Sequence, residues 1–256
     1  MQENTQTEPV LDTAAEKNVE ASAPLSVPHA IIWNGVIIGA AIIVAALIIG
    51  YGRFATEPSQ DAADDTPAAT VDANIKNVNF AGMPYIGSAN APVALAYWSD
   101  FQCPYCKQFE MEEFQEIVKN YVASGKVAVV FKDFAFLGSD STTAALYSRA
   151  VWALYPEQYF AWRTAMYEAQ DAENAGFGDE ASVKKLTAAI AGIDAAKVAE
   201  AVVANKAAYQ KALDADRVEA VNFGIGGTPS FITGAALIRG VSPYGTFEKA
   251  FDKQLK

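Results

Sequence analysis

Residues 30–51 read AIIWNGVIIGAAIIVAALIIGY, an apolar run with no charged side chain. At about 1.5 Å per residue this run crosses a hydrocarbon layer of roughly 30 Å, so it predicts a transmembrane helix. Buried core helices rarely carry so long an uninterrupted run, and a cleaved signal peptide does not open on a long acidic segment. The flanks are polar. Residues 1–29, rich in Glu, Ala, Thr and Pro, predict a disordered acidic tail. Residues 52–76, with Glu57-Pro58-Ser59-Gln60-Asp61 and Asp64-Asp65-Thr66-Pro67, predict a flexible acidic linker.

A globular pattern occupies 77–256. Residues 92–98 (PVALAYW) and 127–131 (VAVVF) are apolar runs of strand length, the second β-branched and preceded by Gly125. Between them, Phe109, Phe114, Ile117, Val118, Tyr121 and Val122 recur with the spacing of one helix over 103–123. Strand, helix and strand in that order predict a parallel pair joined by a crossover helix. Residues 140–222 then read as several short helices. Leu146, Ala150 and Leu154 share a face, as do Val183, Leu186 and Ile190, or Tyr209 and Leu213, and breaks are expected near Pro156, 176–178 and Gly192. Two short strands at 230–233 and 236–239, turned at Gly234, and a closing helix over 243–254 complete the chain. The two parts of a sheet thus bracket a helical insertion.

Charge narrows the function. The net charge of −11 divides into about −4 before residue 30, about −4 over 53–75 and about −3 from Lys76 onward. The globular part has no basic stripe to neutralise phosphates, which argues against nucleic-acid binding. The 52% hydrophobic content of the whole chain excludes a mostly disordered protein. The single histidine, His29, precedes the apolar run, so the globular part offers no histidine base.

Both cysteines of the chain lie in Cys103-Pro104-Tyr105-Cys106, between an apolar strand and a helix start. Unpaired backbone N–H groups at a helix N-terminus favour a thiolate, so Cys103 is expected to be exposed and acidic, and Cys106, one turn in, buried and resolving. A zinc site lacks its third and fourth ligands, and a structural disulfide closing so short a loop contributes only about 2 kcal/mol. Redox work needs neither a metal nor another cofactor. In Gly227-Thr228-Pro229 a proline between a glycine turn and a strand either interrupts the ladder as an ordinary trans residue or takes a cis bond. Glu112, Glu113 and Glu116 read as a solvated helix face; Trp152, Tyr159, Phe160 and Trp162 read as core.

Ala91-Pro92-Val93, then Ser99-Asp100-Phe101-Gln102-Cys103-Pro104-Tyr105-Cys106-Lys107-Gln108-Phe109, and later Gly227-Thr228-Pro229-Ser230-Phe231 resemble the DsbA-type branch of the thioredoxin superfamily. The resemblance covers about 77–256. It implies a thioredoxin-like α/β fold with a helical insertion, active-site cysteines at Cys103 and Cys106, and a cis-proline loop at Thr228 and Pro229 that holds the substrate chain. Pro104 and Tyr105 are the expected redox-tuning pair; Tyr105 departs from the histidine of the best-known periplasmic oxidants and is similar to glutaredoxins.

The function implied is a thiol:disulfide oxidoreductase that introduces disulfides into reduced extracytoplasmic proteins and is reoxidised by a quinone-linked membrane partner. The enzyme is expected in the cell membrane of a bacterium, single-pass, with its catalytic domain on the extracytoplasmic side. With Lys17 on one side of the apolar run and Arg53 immediately on the other, charge alone mildly favours the opposite orientation, so the side rests on the resemblance and on the lack of cysteines beyond the active pair. A disulfide isomerase or reductase of the same fold is the nearest alternative, and a membrane-tethered binding or chaperone-like module with an inert disulfide the alternative of another class.

Overall fold

The computed structural model describes residues 72–256. The acidic tail, the helix expected at 30–51 and most of the linker lie outside the described residues. Among the described residues no helix is long and apolar enough to cross a membrane.

The two apolar runs form the centre of a five-stranded sheet. Its strands are β1 (Tyr85–Ile86), β2 (Val93–Ser99), β3 (Val127–Asp133), β4 (Ser230–Thr233) and β5 (Ala236–Arg239), in the order β1-β3-β2-β4-β5. β2 and β3 are parallel, from Val93 opposite Val127 to Ser99 opposite Asp133; the other pairs are antiparallel. Covered on both faces, β2 is apolar without alternation. Leu95 and Tyr97 enter one core with Phe109 and Phe231, while Ala96 and Trp98 enter another with Phe223 and Ile232.

The crossover is helical but not one helix. α1 (Pro104–Met111) stops at Glu112, whose φ of −113° and ψ of −92° break the ladder; α2 (Glu113–Ile117) follows and runs into a π turn at Val118–Val122. Packing explains the break. Phe109 and Phe114 are both fully buried, with ring centroids 5.8 Å apart. Five residues apart on a straight helix they would point about 140° away from each other. Glu112 and Glu116 face solvent, but Glu113 is half-buried.

Between β3 and β4 stand α3 (Ser139–Leu154), α4 (Tyr159–Ala169), α5 (Glu180–Ala189) and α6 (Ala195–Asn222), broken near the proline and glycines that the sequence marks. Asp179 caps α5 by accepting from the Ser182 amide, and Asp194 caps α6 by accepting from Ala196 and Lys197. Tyr159 and Trp162 are core, whereas Leu154, expected on an apolar face, ends α3 and is largely exposed. α7 (Tyr244–Gln254) closes the domain over Phe109, burying Phe247 and Phe251.

The insertion is fixed to the sheet by buried charges. On β3, Lys132 Nζ lies 2.6 Å from Asp216 and 2.9 Å from Glu219, both on α6. Arg149 of α3 pairs with Asp133 at 2.6 Å and also with Asp216. These partners allow β3 to run past Phe131 into two buried charged residues. Unpaired, each would cost several kcal/mol.

Candidate active site

The dithiol sits where β2 hands over to α1. Beyond Ser99 the chain must turn without the sheet's hydrogen bonds, and Asp100 supplies replacements. Its carboxylate accepts from the Gln102 amide (2.9 Å), the Ser141 hydroxyl (2.6 Å) and the amides of Phe136 (2.9 Å) and Leu137 (3.2 Å). The insertion grips the same turn. Gln170 Nε2 donates to the carbonyls of Phe101 (2.5 Å) and Cys103 (3.2 Å), and Gln102 bonds Phe177 O and Asn174 N. Lys107 of α1 donates to the carbonyls of Glu168 and Gln170.

Cys103 is the N-cap of α1 and Pro104 its first residue, where a missing N–H costs nothing. Pro104 and Tyr105 face solvent, Tyr105 with 62% of its surface open. Cys106 is fully buried. Cys103 is not as exposed as a helix start predicts: only 4% of it is accessible, because the loop before β4 covers the sulfur. Both cysteines are free thiols, and Cys103 Sγ donates to the Thr228 carbonyl at 3.4 Å. The Thr228-Pro229 bond is cis. Pro229 is buried, and its carbonyl accepts from the Gly240 amide at 2.8 Å. The Thr228 hydroxyl is buried without a protein partner, which leaves it free to donate to a thiolate.

This packing separates the two thiols electrostatically. Cys103 is pulled down from its ordinary 9.0 to about 6, first by the Cys106 thiol, which donates to it. Burial opposes the shift, and the Thr228 hydroxyl and the backbone amides of Cys106 and Tyr105 add to it. Cys106 is pushed well up, by burial first and by its bond and charge interaction with Cys103 next. At neutral pH the pair therefore holds one proton, on Cys106.

Four residues of the site escape a reading of the sequence. Glu110, one turn beyond Cys106, is fully buried, with Oε1 accepting from Arg163 Nε at 2.7 Å and Nη2 at 2.5 Å. Oε2 is buried without a partner, and burial raises the Glu110 carboxyl above the ordinary range, opposed by Arg163. Arg163 also donates to the Ser99 hydroxyl at 3.0 Å and stacks 4.1 Å over the Phe131 ring. Gln170 acts through backbone carbonyls, and Asp100 through three backbone amides and the Ser141 hydroxyl.

The thioredoxin family model matches residues 80–253. The chain belongs to the thioredoxin family. Within that family it is similar to disulfide bond formation protein D of Bacillus subtilis, 26% identical over 175 residues that cover 68% of this chain and 78% of the relative. The crystal structure of oxidised BdbD from Bacillus subtilis superposes with a TM-score of 0.66 at 23% identity, covering 73% of this chain and 98% of the other. The thiol-disulfide exchange protein α-DsbA2 of Wolbachia pipientis gives a TM-score of 0.60 at 25% identity, over 67% of this chain and 86% of that one. The thioredoxin-like fold with its helical insertion is therefore the one expected, and the protein is a DsbA-like thiol:disulfide oxidoreductase.

Proposed function

We propose that the protein introduces disulfides into extracytoplasmic proteins through Cys103-Pro104-Tyr105-Cys106. The observation that carries this reading is the asymmetry of the pair: Cys103 stands at the start of α1 under the Thr228 carbonyl and Cys106 is fully buried behind it, an arrangement that lowers Cys103 and raises Cys106. In the oxidised enzyme a substrate thiolate attacks Cys103 Sγ, the Cys103–Cys106 bond breaks, and Cys106 leaves and takes up a proton. A second substrate thiolate then attacks the substrate sulfur of the mixed disulfide, forming the substrate disulfide and releasing Cys103 as a stabilised thiolate. Two electrons pass to the enzyme. A thiol that leaves easily speeds the second step and favours the reduced enzyme, so the disulfide is oxidising.

Thr228 and Pro229 hold the substrate chain beside the sulfur, and Pro104 and Tyr105 tune the pair without a charge of their own. The electrons leave through a quinone-linked membrane partner, and the segment at 30–51 anchors the domain on the extracytoplasmic side of the cell membrane. The name of the Bacillus subtilis relative, disulfide bond formation protein D, supports the oxidising direction.

Two measurements test the proposal. With Cys106→Ala, substrate adducts accumulate through Cys103; adducts that form through Cys106 when Cys103 is replaced would reverse the assignment. Equilibration of wild-type protein with glutathione buffers reads the direction. A potential more negative than about −230 mV, below the glutaredoxin range, would make the protein a reductase.

A further inference from the structure

A groove of about 390 Å³ is lined by Gly226, Gly227, Thr228, Pro229, Ser230, Arg239 and Gly240, on the loop whose Thr228 carbonyl touches Cys103 Sγ. Two features of it have no explanation inside the domain. The first is the glycines. Neither Gly226 nor Gly227 has a left-handed φ, and a Cβ at either would meet nothing within 4 Å. Folding does not require them to be glycine. What their lack of side chains does provide is open backbone on the floor of the groove, one and two residues before the carbonyl that touches Cys103 Sγ.

The second is Arg239, the one ionisable side chain lining the groove. It is exposed, donates to the Gly224 carbonyl at 3.1 Å, and forms no ion pair among the described residues. Arg149 and Arg163 of the insertion, which reach into the core, are paired with carboxylates, whereas among the described residues Arg217, exposed like Arg239, is not. Arg239 stands opposite Ser230 on the neighbouring strand, and Ser230 is two residues from Thr228. Its side chain shares the sheet face of Ser230 and Trp98, and its bond to Gly224 places the guanidinium two residues before Gly226, so a chain that extends from Cys103 along Gly227 and Gly226 approaches it within about three residues, at about 3.3 Å each.

We propose that Arg239 makes this site selective for protein thiols flanked by an acidic side chain. The substrate lies extended along Gly226 and Gly227, its cysteine sulfur meets Cys103, and an aspartate or glutamate within three residues pairs with Arg239. A lysine at the same place meets a like charge. This selectivity rests on the exchange reaction proposed above.

The test uses unstructured dithiol peptides identical except for Glu, Gln or Lys at each position up to three residues from the attacking cysteine. The readout is the ratio of kcat/KM for Glu and Lys peptides within one enzyme preparation, which is independent of the fraction folded. The wild-type protein should favour Glu at one or more positions by about three- to tenfold at low ionic strength, shrinking as salt is added. Arg239→Lys should keep the preference, and Arg239→Glu should invert it. Gly226→Leu should slow every peptide by filling the floor. Equal oxidation of all peptides by the wild-type protein, or a preference untouched in Arg239→Glu, overturns the selectivity and leaves the exchange reaction standing. Oxidation of none of them removes both.

Discussion

Replacing Cys106 by alanine removes the group that does most to lower Cys103. If the Cys106 thiol is the main cause, Cys103 in Cys106→Ala returns from about 6 toward 9.0. At pH 7 the thiolate fraction then falls from about nine tenths toward about one hundredth. Reactivity changes less. A thiolate loses nucleophilicity as its pKa falls, with a Brønsted slope of about 0.45, so three units cost the wild-type thiolate a factor of about 20. The product predicts that the wild-type protein reacts with iodoacetamide about fourfold faster than the variant at pH 7 and about 20-fold slower at pH 10, with the curves crossing between about pH 7.5 and 8. Thiolate absorbance against pH gives the midpoints, and alkylation rates over the same range give the crossing. A midpoint that stays near 6 in Cys106→Ala would refute the reasoning and assign the acidity to the helix amides and Thr228.

The same shift sets a pH window for stability. A depressed thiol pKa stabilises the folded reduced protein fully above the unfolded value of 9.0, and the gain is lost as pH falls toward 6. At pH 7 about 1 kcal/mol remains after solvent screening, equivalent to about 20 mV of oxidising power.

Two further outcomes are expected. Arg163→Met leaves Glu110 buried without a cation and should cost about 3–5 kcal/mol in denaturant unfolding, while Glu110→Gln with Arg163→Met should recover much of it; a double variant as unstable as the single one would mean that the pair's shape, and not its charge, is needed. Asp100→Ala deprives the Gln102, Phe136 and Leu137 amides and the Ser141 hydroxyl of their acceptor and should cost at least about 2 kcal/mol. Because that turn presents Cys103, disulfide exchange with peptides should slow as well; an unchanged unfolding midpoint would show that water replaces the carboxylate.

Features carried by neighbouring residues were legible in the sequence. The dithiol, the Gly227-Thr228-Pro229 loop, the two central strands and the helical insertion each depend on a short pattern or a breaker. Features that need a distant partner were not. Lys132 and Asp133 read as the end of a strand, and only Asp216 and Arg149 turn them into its buried continuation. Glu110 reads as one more carboxylate in an acidic helix until Arg163, 53 residues away, is placed beside it. β1, with two residues, has no period to detect, and the stop at Glu112 arises from two phenylalanines that no straight helix can bury together. The loop beside Cys103 follows from the family resemblance, but how far it buries the sulfur does not, since that depends on packing against the far end of the domain.

Thr228 closes over Cys103 from 125 residues further along the chain. During synthesis from the N-terminus the two cysteines therefore emerge well before the loop that covers them and the insertion that clamps their turn. In that interval they are ordinary thiols with little thiolate at neutral pH, slow to attack and poor at leaving. Folding therefore tunes the pair, and an incomplete chain carries the motif without the lowered Cys103 that makes it a good leaving group.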